Sequence, residues 1–490
     1  VPRADTARER PVRPVLLVAT LALGTTALSL LQSIVVPVLP TIADQLGVSP
    51  TAAGWVLTAN LLAAAVSTPV LGRLGDALGE RPVLLGILAT TCAGTLLALV
   101  TSSLPALIVA RVLQGVSYGL FPLSISVLRR ELTPGRLTVA MSVVSSTLAV
   151  GGVVGLVAAA LLTRDGGDYH GPFWLGAAVS LAALALTAAV LPRRPPTGGG
   201  RVDWWGALVL GAGLVLLLLP VSQGNGWGWT SPATLGCLAG AVLVLAGWVV
   251  LQRRRAEPLV RPALLADPRT LVPTVAGLMT GVGLFASFLG LLAFVQSPPP
   301  DGFGASVVEA AVLYLLPGGV AGVLLAPVAG RVVARVGALP TLLSGAVSGI
   351  AGFGLFALAR AEPWQVVTAG LLTQLWATVA YAALPALVVA AVRPEETGVA
   401  NAVNSIARSV GQALGSAVTV ALLAAGTDAL TGRTAPEATT AVALVGVGAA
   451  AVVVLVAVLG LRGSRRRDLG TPETGATAAA GEWSPVSGVR

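Results

Sequence analysis

The chain has 490 residues, of which 55% are hydrophobic and only 10% charged, with a mean hydropathy of +0.88. Soluble globular domains carry roughly 25% charged residues, so this composition excludes one and requires a membrane protein that crosses the bilayer many times. The net charge is +9 and every basic residue is arginine, so the meaning of the charge depends on where the arginines fall.

Residues 1–14 form a basic arm containing Arg3, Arg8, Arg10 and Arg13. An apolar run then extends from Val15 to about Leu39; it is too long for a signal-peptide core and reads as a retained first membrane helix. Further spans are expected at about 50–72, 82–101, 104–128, 138–162 and 172–192, each close to the ~20 residues that cross the hydrocarbon layer. A Pro/Gly-rich basic linker, 193–202, precedes two more spans within 203–251, at about 203–222 and 232–251. A second basic linker, 252–269, leads to six spans at about 270–296, 307–330, 338–359, 364–391, 399–424 and 439–462. Residues 463–490 have the composition of a disordered tail. The expected fold is an all-α polytopic protein with fourteen spans. A six-helix bundle over 15–192 is followed by two extra helices over 203–251 and a second six-helix bundle over 270–462.

The arginines sort by loop. With the N-terminus placed in the cytoplasm, alternate loops hold nearly all of them, as the positive-inside rule requires. Only Arg164, Arg360 and Arg433 fall on the other side, and Arg111 and Arg408 lie within spans. Topology accounts for the charge, and nucleic acid is excluded as a partner. Both termini are expected in the cytoplasm of a cell whose plasma membrane the chain crosses, with the lipid bilayer as surroundings and a monomer as the working unit.

An internal repeat supports two equivalent halves. Pro69, Val70, Gly72, Arg73 and Gly79 recur 258 residues later as Pro327, Val328, Gly330, Arg331 and Gly337. Val116, Tyr118, Pro122, Arg130, Gly135, Ser142, Ser146 and Gly152 recur 263 residues later as Val379, Tyr381, Pro385, Arg393, Gly398, Ser405, Ser409 and Gly415.

Polar residues are costly inside a membrane, so those that repeat along one helix face mark walls of a water-filled path. The first span has Thr25, Ser29 and Gln32 with Thr26 and Ser33 beside them, and the second contributes Asn60. The fourth has Arg111, Gln114, Ser117 and Tyr118. The twelfth has Gln374, Thr378 and Tyr381, and the thirteenth Asn401, Asn404, Ser405, Arg408 and Gln412. These stripes are expected to face one another, with Gln32, Asn60, Gln114, Tyr118, Gln374, Tyr381, Asn404 and Arg408 as the substrate cavity. Two arginines and no acid at mid-membrane depth favour neutral or anionic amphipaths over dications. Glu309, at the start of the tenth span, faces the cavity if its stripe continues to Val312 and Leu316. With Asp76 it is a candidate to titrate during proton transfer, and Arg111 is the electrostatic partner of both. The alternative for Glu309 is a helix cap. Cys92 and Cys237 lie in apolar runs and read as packing residues. His170, beside Asp168 and Tyr169, reads as structural. Trp204, Trp205, Trp227, Trp229 and Trp248 read as interfacial anchors. No catalytic triad, metal cluster or phosphate loop is present in the sequence, and no cofactor is expected.

Gly72, Leu74, Asp76, Gly79 and Arg81 stand in the order G-x-L-x-D-x-x-G-x-R and read as a tight turn between the second and third spans. The pattern resembles the signature loop of the major facilitator superfamily, and these residues are the gating motif that the resemblance implies. Asp76 is expected to meet the N-terminus of the thirteenth helix, which begins after Glu395, Glu396 and Thr397. Arg111, Gln114 and Gly115, in the order R-x-x-Q-G, are similar to that family's fourth-helix motif, whose arginine is associated with proton coupling. Fourteen spans, with Val202-Asp203-Trp204-Trp205-Gly206 opening the extra pair, resemble its drug:proton antiporter branch. Two positions depart from that branch. The first span, Leu31-Gln32-Ser33-Ile34-Val35-Val36-Pro37-Val38-Leu39-Pro40, has no acid, and Gly151-Gly152-Val153-Val154-Gly155-Leu156 in the fifth lacks the Gly-Pro pair. The resemblance implies a non-enzymatic exporter of lipophilic small molecules in a bacterial plasma membrane, driven by proton antiport through alternating access. The rival readings are an uptake or metabolite carrier of the same fold and a non-transporting receptor.

Overall fold

The computed structural model describes residues 13–163, 167–195, 203–255, 258–261, 264, 267–393, 396–426 and 435–468. The arm up to residue 12, linker residues 196–202, Arg164, Arg433 and the tail beyond 468 lie outside the described residues. Among those described, fourteen helices are long and apolar enough to cross a membrane. They are α1 Pro14–Ser33, α2 Pro50–Leu78, α3 Glu80–Val100, α4 Leu104–Glu131, α5 Pro134–Leu162, α6 Gly171–Val190 and α7 Trp204–Trp227. After them come α8 Pro232–Arg254, α9 Pro268–Gln296, α10 Ala310–Val336, α11 Ala338–Leu358, α12 Pro363–Ala391, α13 Thr397–Ala425 and α14 Pro436–Asp468.

Local chemistry sets many helix starts. Proline opens α1, α2, α5, α8, α9 and α12, where its missing N–H has no partner to lose. The side chains of Ser49, Asp203, Ser231 and Asp267 accept from backbone N–H groups at the starts of α2, α7, α8 and α9. Two boundaries differ from the expectation. The first span stops at Ser33, and a turn containing Pro37 leads into a seven-residue helix, Leu39–Gln45, because proline cannot donate back to the preceding turn. The gating motif is mostly not a turn: α2 remains helical through Gly72 and Asp76 to Leu78, and Gly79 alone reverses the chain at φ +93°. Gly337 does the same between α10 and α11 at φ +99°, so the repeat preserves a backbone conformation that favours glycine.

Each half has its own buried core, one centred on Leu84, Phe121, Leu123 and Val144, the other on Phe353, Trp376, Leu384 and Val453. The halves meet through α2 and α4 against α13 and through α5 against α10 and α12, which is the pairing that the internal repeat requires. The extra helix α7 packs on both α2 and α13 and so lies across the seam, with α8 against α7.

The Asp203 segment ties this pair together. Asp203 Oδ1 accepts from the Gly206 N–H at 2.9 Å, and its Oδ2 accepts from Gln252 Nε2 at 2.9 Å. Trp248 Nε1 donates to the Gly206 carbonyl at 2.8 Å. Trp204 and Trp205 are exposed where lipid would lie, but Trp248 is buried; its indole N–H holds a neighbouring helix, which corrects its reading as an interfacial anchor.

Candidate functional site

A cavity of about 240 Å³ lies on the seam. Its walls come from α1 (Ser29, Gln32, Ser33), α4 (Tyr118), α9 (Leu284, Phe285, Phe288), α10 (Tyr314, Gly318), α12 (Gln374, Tyr381) and α13 (Ser405, Arg408, Gln412). Most of these residues lie at the middle of their helices or beyond it, away from the arginine-rich loops, whereas Tyr381, Ser405 and Arg408 lie a few residues on the arginine-rich side of the middle. Two local distortions contribute: α4 tightens to a 3₁₀ segment over Val116–Gly119, carrying Tyr118, and α10 opens with a π segment over Ala310–Leu315, carrying Tyr314.

Of the expected cavity residues, Gln32, Tyr118, Gln374, Tyr381 and Arg408 line it, whereas Asn60, Gln114 and Asn404 do not. Those three are buried within a half and hydrogen-bonded to neighbouring helices. Asn60 Nδ2 donates to the Arg111 carbonyl at 3.0 Å, Gln114 Nε2 to Thr95 Oγ1 at 3.2 Å and Asn404 Nδ2 to the Pro273 carbonyl at 2.7 Å. Thr25 and Ser29 likewise bond across to α5, at Thr147 Oγ1 (2.6 Å) and the Thr147 carbonyl (3.2 Å). The aromatic wall of Phe285, Phe288 and Tyr314 was not legible in sequence, because an apolar ring facing a cavity and one facing lipid have the same pattern.

Arg111 is also outside the cavity. It is fully buried, with Nη1 donating to the Leu31 carbonyl at 2.9 Å, Nε to the Val56 carbonyl at 3.1 Å, and Nη1 also to Gln114 Oε1. It joins α1, α2 and α4 through carbonyls. Its guanidinium reaches neither Asp76 nor Glu309, which corrects the expected partnership. Among the described residues lining the cavity, the single cation is therefore Arg408.

At the arginine-rich end the halves are in close contact. A Cβ on Gly72 would stand 3.1 Å from the Gly398 carbonyl oxygen and 3.2 Å from Ala402 Cβ. The symmetry-related Gly330 has comparably little room, with Val139 Cα at 3.0 Å. Asp76 is 1% exposed at the N-terminus of α13. Its Oδ1 lies 2.8 Å from the site of a Cβ on Gly398, neither carboxyl oxygen has a hydrogen-bond partner among the described residues, and Arg73 is the adjacent cation. Arg129 also crosses the seam, donating to the carbonyls of Val392 (3.1 Å) and Arg393 (3.3 Å) and to Thr397 Oγ1. Arg81, by contrast, stays within its half and donates to the Ala188 carbonyl at 2.7 Å. Sequence reasoning missed the buried acids beside this contact. Glu80 bonds Arg130 at 3.2 Å and accepts from Ser126 at 3.1 Å, and Glu131 bonds Arg194 at 2.9 Å. Their positions next to arginines of the same loops were the available signal.

Glu309 is not in the cavity. Its Oε2 accepts from the Ser306 N–H at 2.8 Å while its own N–H donates to Ser306 Oγ at 3.2 Å, the reciprocal pair of a capping box. The Ser306 N–H and hydroxyl hold the carboxyl below its usual range. A carboxyl with a depressed pKa stays ionised at neutral pH and loses its cap only when the pH falls through that lowered value, so it does not cycle its proton near neutrality. Glu309→Gln is accordingly expected to leave transport and any response to an imposed pH gradient within about twofold of native, because the side chain caps its own helix at the surface and does not line the cavity. Flux measured in proteoliposomes checks this; a lost gradient response would return Glu309 to the mechanism. At the same end His170 is held by Asp168 Oδ1 at 2.6 Å and the Thr101 carbonyl at 2.9 Å. Burial raises the Asp168 carboxyl, but hydrogen bonds from the His170 backbone and ring outweigh this and lower it.

The comparisons with known proteins agree with this geometry. Residues 21–416 match the family model of the Major Facilitator Superfamily. The chain is 30% identical to the tetracenomycin C resistance and export protein of Streptomyces glaucescens over 84% of its own length and 76% of the relative's. It is 29% identical to a cephamycin export protein of Amycolatopsis lactamdurans, over 81% and 82% of the two chains. It is 31% identical to a puromycin resistance protein of Streptomyces alboniger, over 78% and 76%. The crystal structure of the human organic anion transporter MFSD10 shares the fold, with a TM-score of 0.64 at 17% identity over 91% of this chain and 99% of that one. Among the described residues, twelve membrane helices in two repeated halves around a central cavity and an extra pair beside them, joined to a family match over most of the length, make this chain a member of the Major Facilitator Superfamily, a transporter of small molecules and not an enzyme.

Proposed function

We propose that the chain exports lipophilic small molecules across a bacterial plasma membrane in exchange for protons, by rocking its two halves about the seam cavity. The observation that carries this reading is the cavity itself. Apolar and aromatic side chains form most of its wall, a few polar groups converge in it, and it lies between repeated halves where alternating access operates. The relatives whose names mention export or drug resistance support the outward direction. The positive-inside rule orients the arginine-rich end and both termini toward the cytoplasm. In that orientation the closed cytoplasmic contact leaves the cavity on the outer side, the arrangement from which substrate departs.

Asp76 is the proposed proton-coupling acid. Coupling needs a carboxyl that is shut from water in one orientation and reaches it in the other, and Asp76 is buried under the contact that must open. Neither Glu309 nor Arg111 has that placement. The direct test is a drug-susceptibility panel in a bacterial strain stripped of its own exporters. At least one lipophilic antibiotic is expected to require a severalfold higher dose when the chain is present, and no protection against any compound would reject export. In proteoliposomes, substrate flux is expected to rise with an imposed pH gradient; flux indifferent to the gradient would reject antiport and leave export standing.

A further inference from the structure

Among the described residues lining the cavity, Arg408 is the sole cation, and none is an aspartate, glutamate or histidine. The side chain is 6% exposed. A guanidinium at mid-membrane depth is costly to hold, and a neighbouring carboxylate would ordinarily offset the cost. Here the compensation is partial. Arg408 Nη2 donates to Ser405 Oγ at 3.2 Å, and its Cζ lies 4.9 Å from the Phe121 ring and 5.1 Å from the Tyr381 ring. Two more donors share the cavity. The Tyr118 hydroxyl and Gln374 Nε2 are both withdrawn from solvent and have no hydrogen-bond partner among the described residues. Unpartnered buried donors are uncommon in folded proteins, and in a ligand cavity they mark where the ligand's acceptors go. The site is thus rich in donors, positive and otherwise aromatic.

Resting on the export reading above, we propose that the substrates are lipophilic monoanions, amphipaths with one carboxylate, phenolate or sulfonate. The anionic group pairs with Arg408 and accepts from Tyr118 and Gln374, and the apolar body lies against Phe285 and Phe288. The same geometry links binding to opening. Phe121 belongs to α4 in one half and Arg408 to α13 in the other, so their stack spans the seam beside the cavity. An anion that draws the guanidinium off that ring weakens a contact between the halves. An anion leaving a cell whose interior is negative also moves down the membrane potential.

Tetraphenylborate and tetraphenylphosphonium, which share a shape and carry opposite permanent charges, provide the test as ligands of the purified transporter in detergent. Comparing each ion between native protein and variant cancels their unequal partition into detergent. Arg408→Gln is expected to bind the borate about tenfold more weakly than native while binding the phosphonium equally or more tightly. Arg408→Lys, which keeps the charge, is expected to stay within about threefold of native for the borate. Equal borate affinity in native protein and Arg408→Gln would overturn the proposal. Gln374→Leu tests the site if Arg408→Gln does not fold. It is expected to weaken the oxyanion 8-anilinonaphthalene-1-sulfonate about fivefold and to leave the borate, which has no acceptor oxygen, within about twofold; equal weakening of both, or of neither, would remove Gln374 as an anion donor. Anion preference without drug protection rejects export alone. Protection without anion preference rejects the substrate class alone.

Discussion

Asp76→Asn is expected to lower the transport rate about tenfold while leaving membrane insertion intact, because it removes an ionisable carboxyl from the N-terminus of α13 without changing the size of the side chain. A carboxylate in that position stabilises the contact by about 1–2 kcal/mol. The same contact holds only one of the two orientations of the halves, so losing it shifts their ratio by about 5- to 30-fold. Asparagine presents a neutral oxygen to the helix start and gives up the attraction to Arg73. The shift is measurable apart from transport. With Cys92 and Cys237 replaced, a single cysteine at Ala402, which is buried under Gly72, should react with a thiol reagent supplied from the arginine-rich side faster in the Asp76→Asn background. Native transport together with native labelling would show that Asp76 does not latch the halves.

The second large effect is expected at Arg111, and it is one of stability. Arg111→Met leaves Gln114 Oε1 buried without its donor and strips the Leu31 and Val56 carbonyls of their cross-helix contacts. A buried acceptor without a partner costs about 1–3 kcal/mol, and hydrogen bonds from a charged donor are worth about 1.5–3 kcal/mol each. Relief from burying the cation offsets part of this, so a net loss of about 3 kcal/mol is expected. Arg111→Lys separates charge from geometry. An ammonium is a point donor and does not span α1, α2 and α4 as the planar guanidinium does, so lysine is expected to recover less than half of the loss. Thermal unfolding of the purified proteins in one detergent decides between the roles. A lysine variant that melts with the native protein would show that the charge matters and the three-helix clamp does not.

How much of this was written in the chain follows from how each feature is encoded. Span count is a matter of apolar length and needs no tertiary information, and arginine placement supplies the expected sidedness of the loops. The two halves are visible because residues such as Gly79 and Gly337 must adopt a backbone conformation that few others accept. The approach of Asp76 to the start of α13 was also legible, since the internal repeat suggests that pairing of helices and a carboxylate is favoured at a helix N-terminus. The Glu309 cap was legible too, in Ser306-Val307-Val308-Glu309, where serine precedes glutamate by three residues at a helix start.

The cavity was only half legible. Spacing along a helix shows that Gln114 and Tyr118 share a face, but not how the helix is rotated about its own axis, and that rotation comes from packing. The 3₁₀ segment at Val116–Gly119 and the π segment at Ala310–Leu315 change the register locally. They separate Tyr118, which lines the cavity, from Gln114, which faces Thr95, and they turn Tyr314 inward. Arg111 and Arg408 are both single arginines within apolar spans. One sits where three helices of the same half supply carbonyls, the other where the seam supplies two aromatic rings and an open space. Sequence determined that each arginine must be accommodated inside the membrane, because a guanidinium is too costly there to be incidental. Only the tertiary structure decided which is a clamp and which faces a ligand, because that depends on what stands within hydrogen-bond reach after the halves have packed.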